Sequence, residues 1–171
     1  MGWSLRAATL SDVDAVAGVQ VQSWRETYEG ILPESVIRSR TWNDRRSLWR
    51  RVISEARQLH IVADIPGEGV VGFVNGGPAR VDLPGADVEI YALYVLRAFH
   101  GQGIGRALFE RARSSFRAQK AAHLALWVQN KNPATAFYEA MGGVAGGVEA
   151  KQLGGQLCTS RRYDFGLDHE D

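Results

Sequence analysis

Residues 88–116 read VEIYALYVLRAFHGQGIGRALFERARSSF, where a strand-like run breaks into glycines and continues as a helix. Residues 89–95 are rich in aromatic and β-branched side chains and lack turn formers, which predicts a mostly buried strand. Gly101, Gly103 and Gly105 follow at alternate positions, where glycine lets the backbone take a positive φ. The apolar residues of 104–116 then recur at helical spacing. Such a turn leaves main-chain N–H groups unpaired near the positive end of the helix dipole, which predicts a phosphate-binding site.

The glycine spacing excludes two common phosphate sites. A P-loop has Gly-Lys-Ser/Thr after its glycines, whereas Arg106 and Ala107 follow here. A dinucleotide fingerprint has the spacing Gly-x-Gly-x-x-Gly, which residues 101–106 do not have. Because glycine also marks tight turns that bind nothing, this pattern alone is not specific for a ligand.

The strand and the glycines together resemble the cofactor motif of the GNAT superfamily of N-acetyltransferases, Arg/Gln-x-x-Gly-x-Gly/Ala after a strand ending Leu-x-Val. The matching residues are Leu93, Tyr94, Val95, His100, Gly101, Gln102, Gly103, Ile104 and Gly105, with His100 at the usual Arg/Gln position. The resemblance implies that the main chain of this loop, continuing to Arg106, holds the pyrophosphate of acetyl-CoA. It also implies that the main chain of residues 93–95 pairs with the pantetheine arm and the acetyl oxygen, like an added strand.

A second motif lies further along the chain, at residues 132–139, NPATAFYE. It resembles the GNAT signature Asn-x-x-Ala-x-x-Phe-Tyr, with Asn132 as the asparagine and Asn130 as the competing candidate. The resemblance implies that Asn132 contributes to the cofactor site. It also implies that Tyr138 protonates the CoA sulfur, or donates a hydrogen bond to it, as general acid. Phe137 is predicted to be a core residue of the amphipathic helix.

Glu89 begins the central strand, and similar enzymes use a glutamate of this strand, directly or through water, to take the ammonium proton. The resemblance therefore implies Glu89 as general base. Strand alternation predicts two faces, one with Glu89, Tyr91, Leu93 and Val95 and the other with Ile90, Ala92 and Tyr94. The pattern leaves open whether Glu89 points into the acceptor cleft or to solvent.

The acceptor pocket is predicted at residues 24–33, WRETYEGILP, where Trp24 and Tyr28 lie one helical turn apart. Similar acetyltransferases line their amine site with an aromatic loop between two early helices, often in the form Ser-Trp-x-x-x-Tyr. Both aromatics could equally be core residues, and Tyr28 is the better candidate for substrate binding. Glutamates at 26, 29 and 34 are a weak indication of a cationic acceptor.

The composition is that of an ordinary globular protein, with 171 residues, 45% hydrophobic and 23% charged residues and a net charge of +1. These values predict a single domain over residues 1–171, with 166–171 as a frayed tail. The one cysteine, Cys158, excludes an internal disulfide and a thiolate metal cluster, and no metal is expected. Without an apolar run of membrane length or a signal-peptide core, we expect a cytoplasmic protein that binds no membrane.

The element order predicts an α+β, three-layer fold like that of the GNAT superfamily. We expect a mixed, mostly antiparallel sheet of six to seven strands with about four helices, in which the fourth strand, third helix and fifth strand form the parallel cofactor unit. A hairpin is predicted around residues 66–69 and another around 153–156. His60 is predicted to be structural, and a capping box at Ser11 and Asp14 is expected to open the first helix.

Three functions are compatible with these patterns. The leading one is an N-acetyltransferase that moves an acetyl group from acetyl-CoA to a primary amine of a small molecule or peptide, in a protein that could form a homodimer as similar proteins often do. The second is a non-catalytic acyl-CoA-binding module of the same fold. The third is a nucleic-acid-binding protein built on the seven arginines of residues 38–57, although Asp44 and Glu55 interrupt that charge and favour a solvated face.

Overall fold

The computed structural model describes residues 2–167. Within them the helices are α1 (Val13–Tyr28), α2 (Glu34–Ser39), α3 (Trp42–Ile53), α4 (Ile104–Ala118) and α5 (Ala134–Ala140). The strands are β1 (Ser4–Ala7), β2 (Leu59–Ile65), β3 (Gly69–Pro78), β4 (Val88–Val95), β5 (His123–Gln129), β6 (Val144–Leu153) and β7 (Gln156–Gly166). None of the helices described here combines the length and the apolar character that a membrane crossing requires.

The seven strands form one sheet in the order β1-β2-β3-β4-β5-β7-β6. All neighbours are antiparallel except β4 and β5, which are parallel and are joined by α4. This confirms the predicted mixed α+β fold and its parallel cofactor unit. The described residues contain five α-helices rather than about four, because residues 33–57 form both α2 and α3.

Apolar cores cover both faces of the sheet. On one face α4 and α5 pack against the strands through Leu108, Phe109 and Tyr138. On the other face α1 and α3 pack through side chains that include Val16 and Trp49. Burial of each large apolar side chain contributes roughly 1.5–3 kcal/mol, so these two layers hold the sheet rigid between them.

A β-bulge in β4 changes the predicted faces of that strand. Ala92 pairs with Asn75 and Ile90 pairs with Gly76, so Tyr91 is an extra residue without its own partner in β3. As a result Ile90 lies in the same core as Leu93 and Val95, not with Ala92 and Tyr94 as simple alternation predicts. The prediction that Ile90 shares a face with Ala92 was therefore wrong.

The parallel strands β4 and β5 separate soon after they begin. Only Val88 with Leu124 and Glu89 with Ala125 are paired, and beyond them the two strands diverge. The remaining length of each strand therefore presents an unpaired edge to the gap between them. This gap is the position that the parallel unit provides for a ligand.

Two smaller predictions about the chain ends were wrong. The capping box lies at Thr9 and Asp12, where the Thr9 N–H donates to the Asp12 carboxylate at 2.8 Å, and not at Ser11 and Asp14. At the other end Gly166 is the last residue of β7, and Leu167 is buried with its N–H bonded to Ala122 O. The rest of the predicted frayed tail, 168–171, lies outside the described residues.

Candidate active site

A cleft of about 770 Å³ opens where β4 and β5 diverge. Its walls come from the end of α1, from β4, from the loop and first turn of α4, from β5, and from α5. Most of the predicted site residues line it, namely Tyr28, Leu93, Tyr94, Val95, His100, Gly101, Gly103, Ile104, Gly105, Arg106, Asn132 and Tyr138. Trp24, Glu89 and Gln102 do not line it.

The glycine loop has the backbone of an anion cradle. Gly101 and Gly103 have φ values of 75° and 80°. Residues other than glycine adopt such values only at a cost in conformational free energy. No acceptor within residues 2–167 pairs with the main-chain N–H groups of 101–106. Because these groups precede or open α4, they lie at the positive end of its dipole.

Gly105 differs from the other two glycines of the loop. Its φ is not positive, so the prediction that all three glycines serve a left-handed backbone was wrong for this one. A Cβ at Gly105 would lie 3.8 Å from the ring of Phe137, in ordinary contact.

Two side chains fix the loop in place. The ring Nε2 of His100 lies 2.8 Å from the carbonyl oxygen of Val95, and since a carbonyl only accepts, Nε2 carries the proton. The indole N–H of Trp3 donates to the carbonyl of Gln102 at 3.1 Å. His100 therefore joins the loop to the end of β4, and Gln102 anchors the loop through its main chain.

The edge of β4 that faces the cleft is open. On its other edge β4 pairs with β3, through Val95 with Gly72 and Leu93 with Val74. Leu93, Tyr94 and Val95 all line the cleft, where β5 has already moved away. An extended ligand could therefore pair with this edge as an added strand.

Tyr138 brings a hydroxyl group to the same cleft from α5. Its ring is only 7% exposed and packs against Phe109, Phe137 and Tyr163. Its hydroxyl has no hydrogen-bond partner within residues 2–167. Burial, with the neighbouring Tyr94 and Tyr28, raises the pKa of Tyr138 above its usual value, so the group holds its proton at neutral pH.

Tyr28 lies across the cleft and is held by Asn132. The Asn132 amide donates to the Tyr28 hydroxyl at 3.1 Å, and its Oδ1 accepts the N–H of Ala134 at 2.8 Å. Burial, more than any other cause, raises the pKa of Tyr28 to about 12. The competing asparagine, Asn130, instead donates to Thr159 at 2.8 Å and does not line the cleft.

Glu89 is placed away from the cleft. It is 1% exposed, and its carboxylate accepts hydrogen bonds from the Arg80 side chain, one of them at 3.0 Å, and from the Arg80 main chain. The bulge at Tyr91 separates it from the face that carries Leu93. The geometry therefore favours a structural ion pair for Glu89.

Other polar residues that line the cleft were not predicted as site residues. Glu26 and Glu29 bring carboxylates from the end of α1, and Glu26 accepts the main-chain N–H of Arg97 at 2.9 Å. Ser23 and Trp127 also line it. Within residues 2–167 no group of three or more His, Cys, Asp or Glu side chains could hold a metal ion. The Ser-Trp-x-x-x-Tyr form includes Ser23, and Glu26 and Glu29 were noted from the sequence only as a weak indication of a cationic acceptor.

Trp24 lies behind the cleft wall. Its ring centroid is 4.3 Å from that of Tyr28, and the ring is 7% exposed. Trp24 therefore supports Tyr28 and does not reach the cleft itself. Both aromatics belong to a third apolar cluster with Leu32, Ile37 and Cys158.

Comparison with known proteins agrees with this geometry. A family profile described as "Acetyltransferase (GNAT) family" matches residues 21–143. An uncharacterized N-acetyltransferase of Bacillus subtilis, YuaI, is 33% identical over 137 residues, which are 80% of this chain and 78% of that protein.

Solved structures show the same fold. A GCN5-related N-acetyltransferase from Rhodopseudomonas palustris superposes with a TM-score of 0.77 at 21% identity, covering 97% of this chain and 96% of the other. YncA from Salmonella typhimurium, solved with its cofactor acetyl-CoA, has a TM-score of 0.72 at 18% identity, with 100% and 97% coverage. The chain is an acyltransferase that belongs to the GNAT family of acetyltransferases.

Proposed function

We propose that this protein transfers an acetyl group from acetyl-CoA to a primary amine of a small molecule or peptide, by direct attack in a ternary complex. The observation that carries the proposal is that an unpartnered Tyr138 hydroxyl and an unpaired row of N–H groups at 101–106 open into one cleft. The N–H groups are suited to hold the phosphates of the acyl donor, and the hydroxyl is suited to give the proton that the departing thiolate needs. The solved structure of YncA with acetyl-CoA supports the choice of acyl donor.

The residues present fit coenzyme A. The N–H groups of 101–106 would bind its pyrophosphate, with the guanidinium of Arg106 at the same wall of the cleft. The free edge of β4 at 93–95 would bind the amide-containing pantetheine arm and hold the acetyl oxygen. Acetyl-CoA supplies an activated acyl group as a thioester.

In the reaction a new C–N bond forms and the C–S bond breaks. Donors on the main chain of β4 stabilise the negative charge that develops on the carbonyl oxygen. Tyr138 gives its proton to the departing sulfur, for which its raised pKa keeps it protonated. The acceptor ammonium first loses one proton to a base or to water, because only the neutral amine can attack. The second proton, which the nitrogen loses as the amide forms, restores the proton of Tyr138.

The base in this proposal is a carboxylate at the cleft or a water molecule that it orients. Glu26 and Glu29 are the carboxylates that line the cleft within residues 2–167. Glu89 was the prediction from sequence, but its carboxylate faces Arg80. We therefore prefer Glu26 or Glu29 for this role.

The test is a transfer assay with purified protein, acetyl-CoA and a panel of amino acids, polyamines, aminoglycosides and peptide N-termini. Release of free thiol is followed, and products are identified by mass spectrometry. We expect at least one amine to gain an acetyl group with matching thiol release. If acetyl-CoA binds but no amine of the panel is acetylated, a non-catalytic acyl-CoA-binding module becomes the better description.

A further inference from the structure

The cleft is lined from both faces of the sheet. Ile104 and Tyr138 line it and belong to the apolar core under α4 and α5. Ala92 and Tyr94 also line it, but they pack against the core under α1 and α3. The last turn of α1 brings Tyr28 to this second side. Two substrates can therefore meet in the gap between β4 and β5 from opposite faces of the sheet.

Tyr94 has a hydroxyl group that the fold does not use. Its ring packs on Phe73 with the centroids 5.8 Å apart, and the residue is half-buried. Within residues 2–167 this hydroxyl forms no hydrogen bond, and protein atoms do not enclose it. The hydroxyl of a tyrosine that is removed from bulk water usually has a hydrogen-bond partner. A ligand in the cleft, or water when no ligand is bound, is the partner left for it.

The other tyrosines of the cleft show how a hydroxyl is used when it has a structural role. Tyr91, three residues earlier in β4, donates its hydroxyl hydrogen to a main-chain carbonyl of β3. The hydroxyl of Tyr28 accepts the amide of Asn132 at 3.1 Å. Among the cleft-lining tyrosines of the described chain, only Tyr94 and Tyr138 have hydroxyls without a protein partner. Tyr138 has a role in the proposed reaction, and the hydroxyl of Tyr94 is left without one.

The hydroxyl of Tyr94 is close to those of Tyr28 and Tyr138. After burial itself, Tyr94 is the next cause that raises the pKa of each of these two residues. Burial also raises the pKa of Tyr94, so that its hydroxyl keeps its proton at neutral pH. Because Tyr138 would protonate the departing sulfur, a neighbouring hydroxyl lies near the place where the amine must attack.

The position of Tyr94 in β4 lets one residue face both substrates. The main chain of residues 93–95 has the free edge that would hold the acetyl oxygen and the pantetheine arm. The Tyr94 side chain leaves the strand on the other face from Leu93 and Val95. A phenol oxygen can accept a hydrogen bond from an amine N–H, which leaves the nitrogen lone pair free for the carbonyl carbon.

We propose that the hydroxyl of Tyr94 binds the amine of the acceptor and orients it for attack on the thioester. This inference rests on the proposed function and adds a substrate-contacting side chain to the same site. Tyr94 then serves the acyl donor through its main chain and the acceptor through its hydroxyl. Correct placement of the nitrogen next to the carbonyl carbon lowers the barrier to C–N bond formation.

The experiment compares Tyr94→Phe with Tyr91→Phe, two variants that each remove one hydroxyl from the same strand. Steady-state kinetics are measured with acetyl-CoA and with the amine of the transfer panel that has the highest kcat/KM. In Tyr94→Phe the KM for the amine should rise and its kcat/KM should fall by about 2- to 15-fold, the contribution of one hydrogen bond. The KM for acetyl-CoA and the unfolding midpoint should stay at wild-type values, because the main chain and the ring contact with Phe73 remain.

Tyr91→Phe should show the opposite pattern. Its unfolding midpoint should fall, because the carbonyl of Pro78 loses its donor, while the KM for the amine stays at the wild-type value. A wild-type KM for the amine in Tyr94→Phe would overturn the inference and leave the proposed function standing. Equal increases in the KM values for the amine and for acetyl-CoA would also overturn it, since they would indicate a distorted β4. Absence of transfer by the wild type would refute the proposed function and, with it, this inference.

Discussion

The amide of Asn132 donates a 3.1 Å hydrogen bond to the hydroxyl of Tyr28, a residue 104 positions earlier in the chain. The carbonyl oxygen of the same side chain accepts the N–H of Ala134, in the first turn of α5. One asparagine therefore connects the aromatic wall of the cleft to the helix that carries Tyr138. The predicted acceptor segment, residues 24–33, and the motif at 132–139 therefore meet through this residue.

Replacement of Asn132 by alanine should remove both contacts. We expect a loss of about 0.5–2 kcal/mol in the free energy of unfolding, because the first turn of α5 loses its side-chain acceptor. The KM for the acceptor should rise as well, because Tyr28 is no longer held. Urea denaturation and steady-state kinetics measure the two effects. Tyr28→Phe removes only the bridge, so it should retain the stability of α5; equal stability losses in both variants would contradict this division.

Replacement of Tyr138 by phenylalanine should lower kcat by roughly 10²- to 10⁴-fold, the usual contribution of general acid catalysis. Binding of acetyl-CoA should not change, because the ring still packs against Phe109 and Phe137. Tyr163→Phe is the matched control, since that hydroxyl donates to Glu139 at 2.8 Å and Tyr163 does not line the cleft. A wild-type kcat in Tyr138→Phe would exclude Tyr138 as the proton donor.

The pH dependence of the reaction follows from the direction of the tyrosine pKa. Burial disfavours the phenolate, so the pKa of Tyr138 lies above its ordinary value of about 10. The proton donor is therefore intact at every pH below that value. We expect kcat/KM to rise with pH as the acceptor amine loses its proton, with no fall before about pH 9.5. A descending limb near pH 8 that disappears in Tyr138→Phe would show that the pKa is lowered instead.

Glu89 should prove important for stability and not for the proton transfer. Glu89→Gln weakens charged hydrogen bonds to Arg80, for which we expect a loss of about 1–3 kcal/mol in the free energy of unfolding. The pH profile of kcat/KM should keep its shape in this variant. If its acid limb moves while the stability is unchanged, Glu89 takes part in the chemistry after all. Arg80→Gln, which removes the exposed partner of the same ion pair, should cause a similar loss in the free energy of unfolding.

Local signals in the sequence were enough to predict the fold and most of the cleft. The glycines, the turn residues and the helical spacing are signals that involve only a few neighbouring residues. The β4-α4-β5 unit and the hairpins could therefore be predicted from the sequence. The bulge at Tyr91 could not be predicted, because it depends on the register between β4 and β3. The direction in which Glu89 points was left open for the same reason.

The acceptor side was harder to predict than the cofactor side. Tyr28 and Tyr94 line the same cleft only because α1 packs across β4, and no motif in the sequence connects the two residues. Trp24 was predicted to bind substrate but supports Tyr28 from behind. The predicted cofactor loop binds through its main chain, and the spacing of its glycines is a local signal for that backbone. The acceptor side is formed by side chains from distant positions in the chain, for which no local signal exists.

Thermal unfolding of the purified protein with acetyl-CoA, free CoA, ATP or NADH tests most directly whether the cleft between β4 and β5 is a coenzyme A site. A ligand that binds only the native state raises the midpoint of unfolding. We predict an increase in the midpoint with acetyl-CoA and with CoA, and a smaller one or none with ATP and NADH. In Gly103→Ala the increase should be reduced, because an alanine at this position would have to adopt a φ of 80°. No increase with either CoA form at millimolar concentration would contradict the assignment of residues 101–106 as the pyrophosphate site.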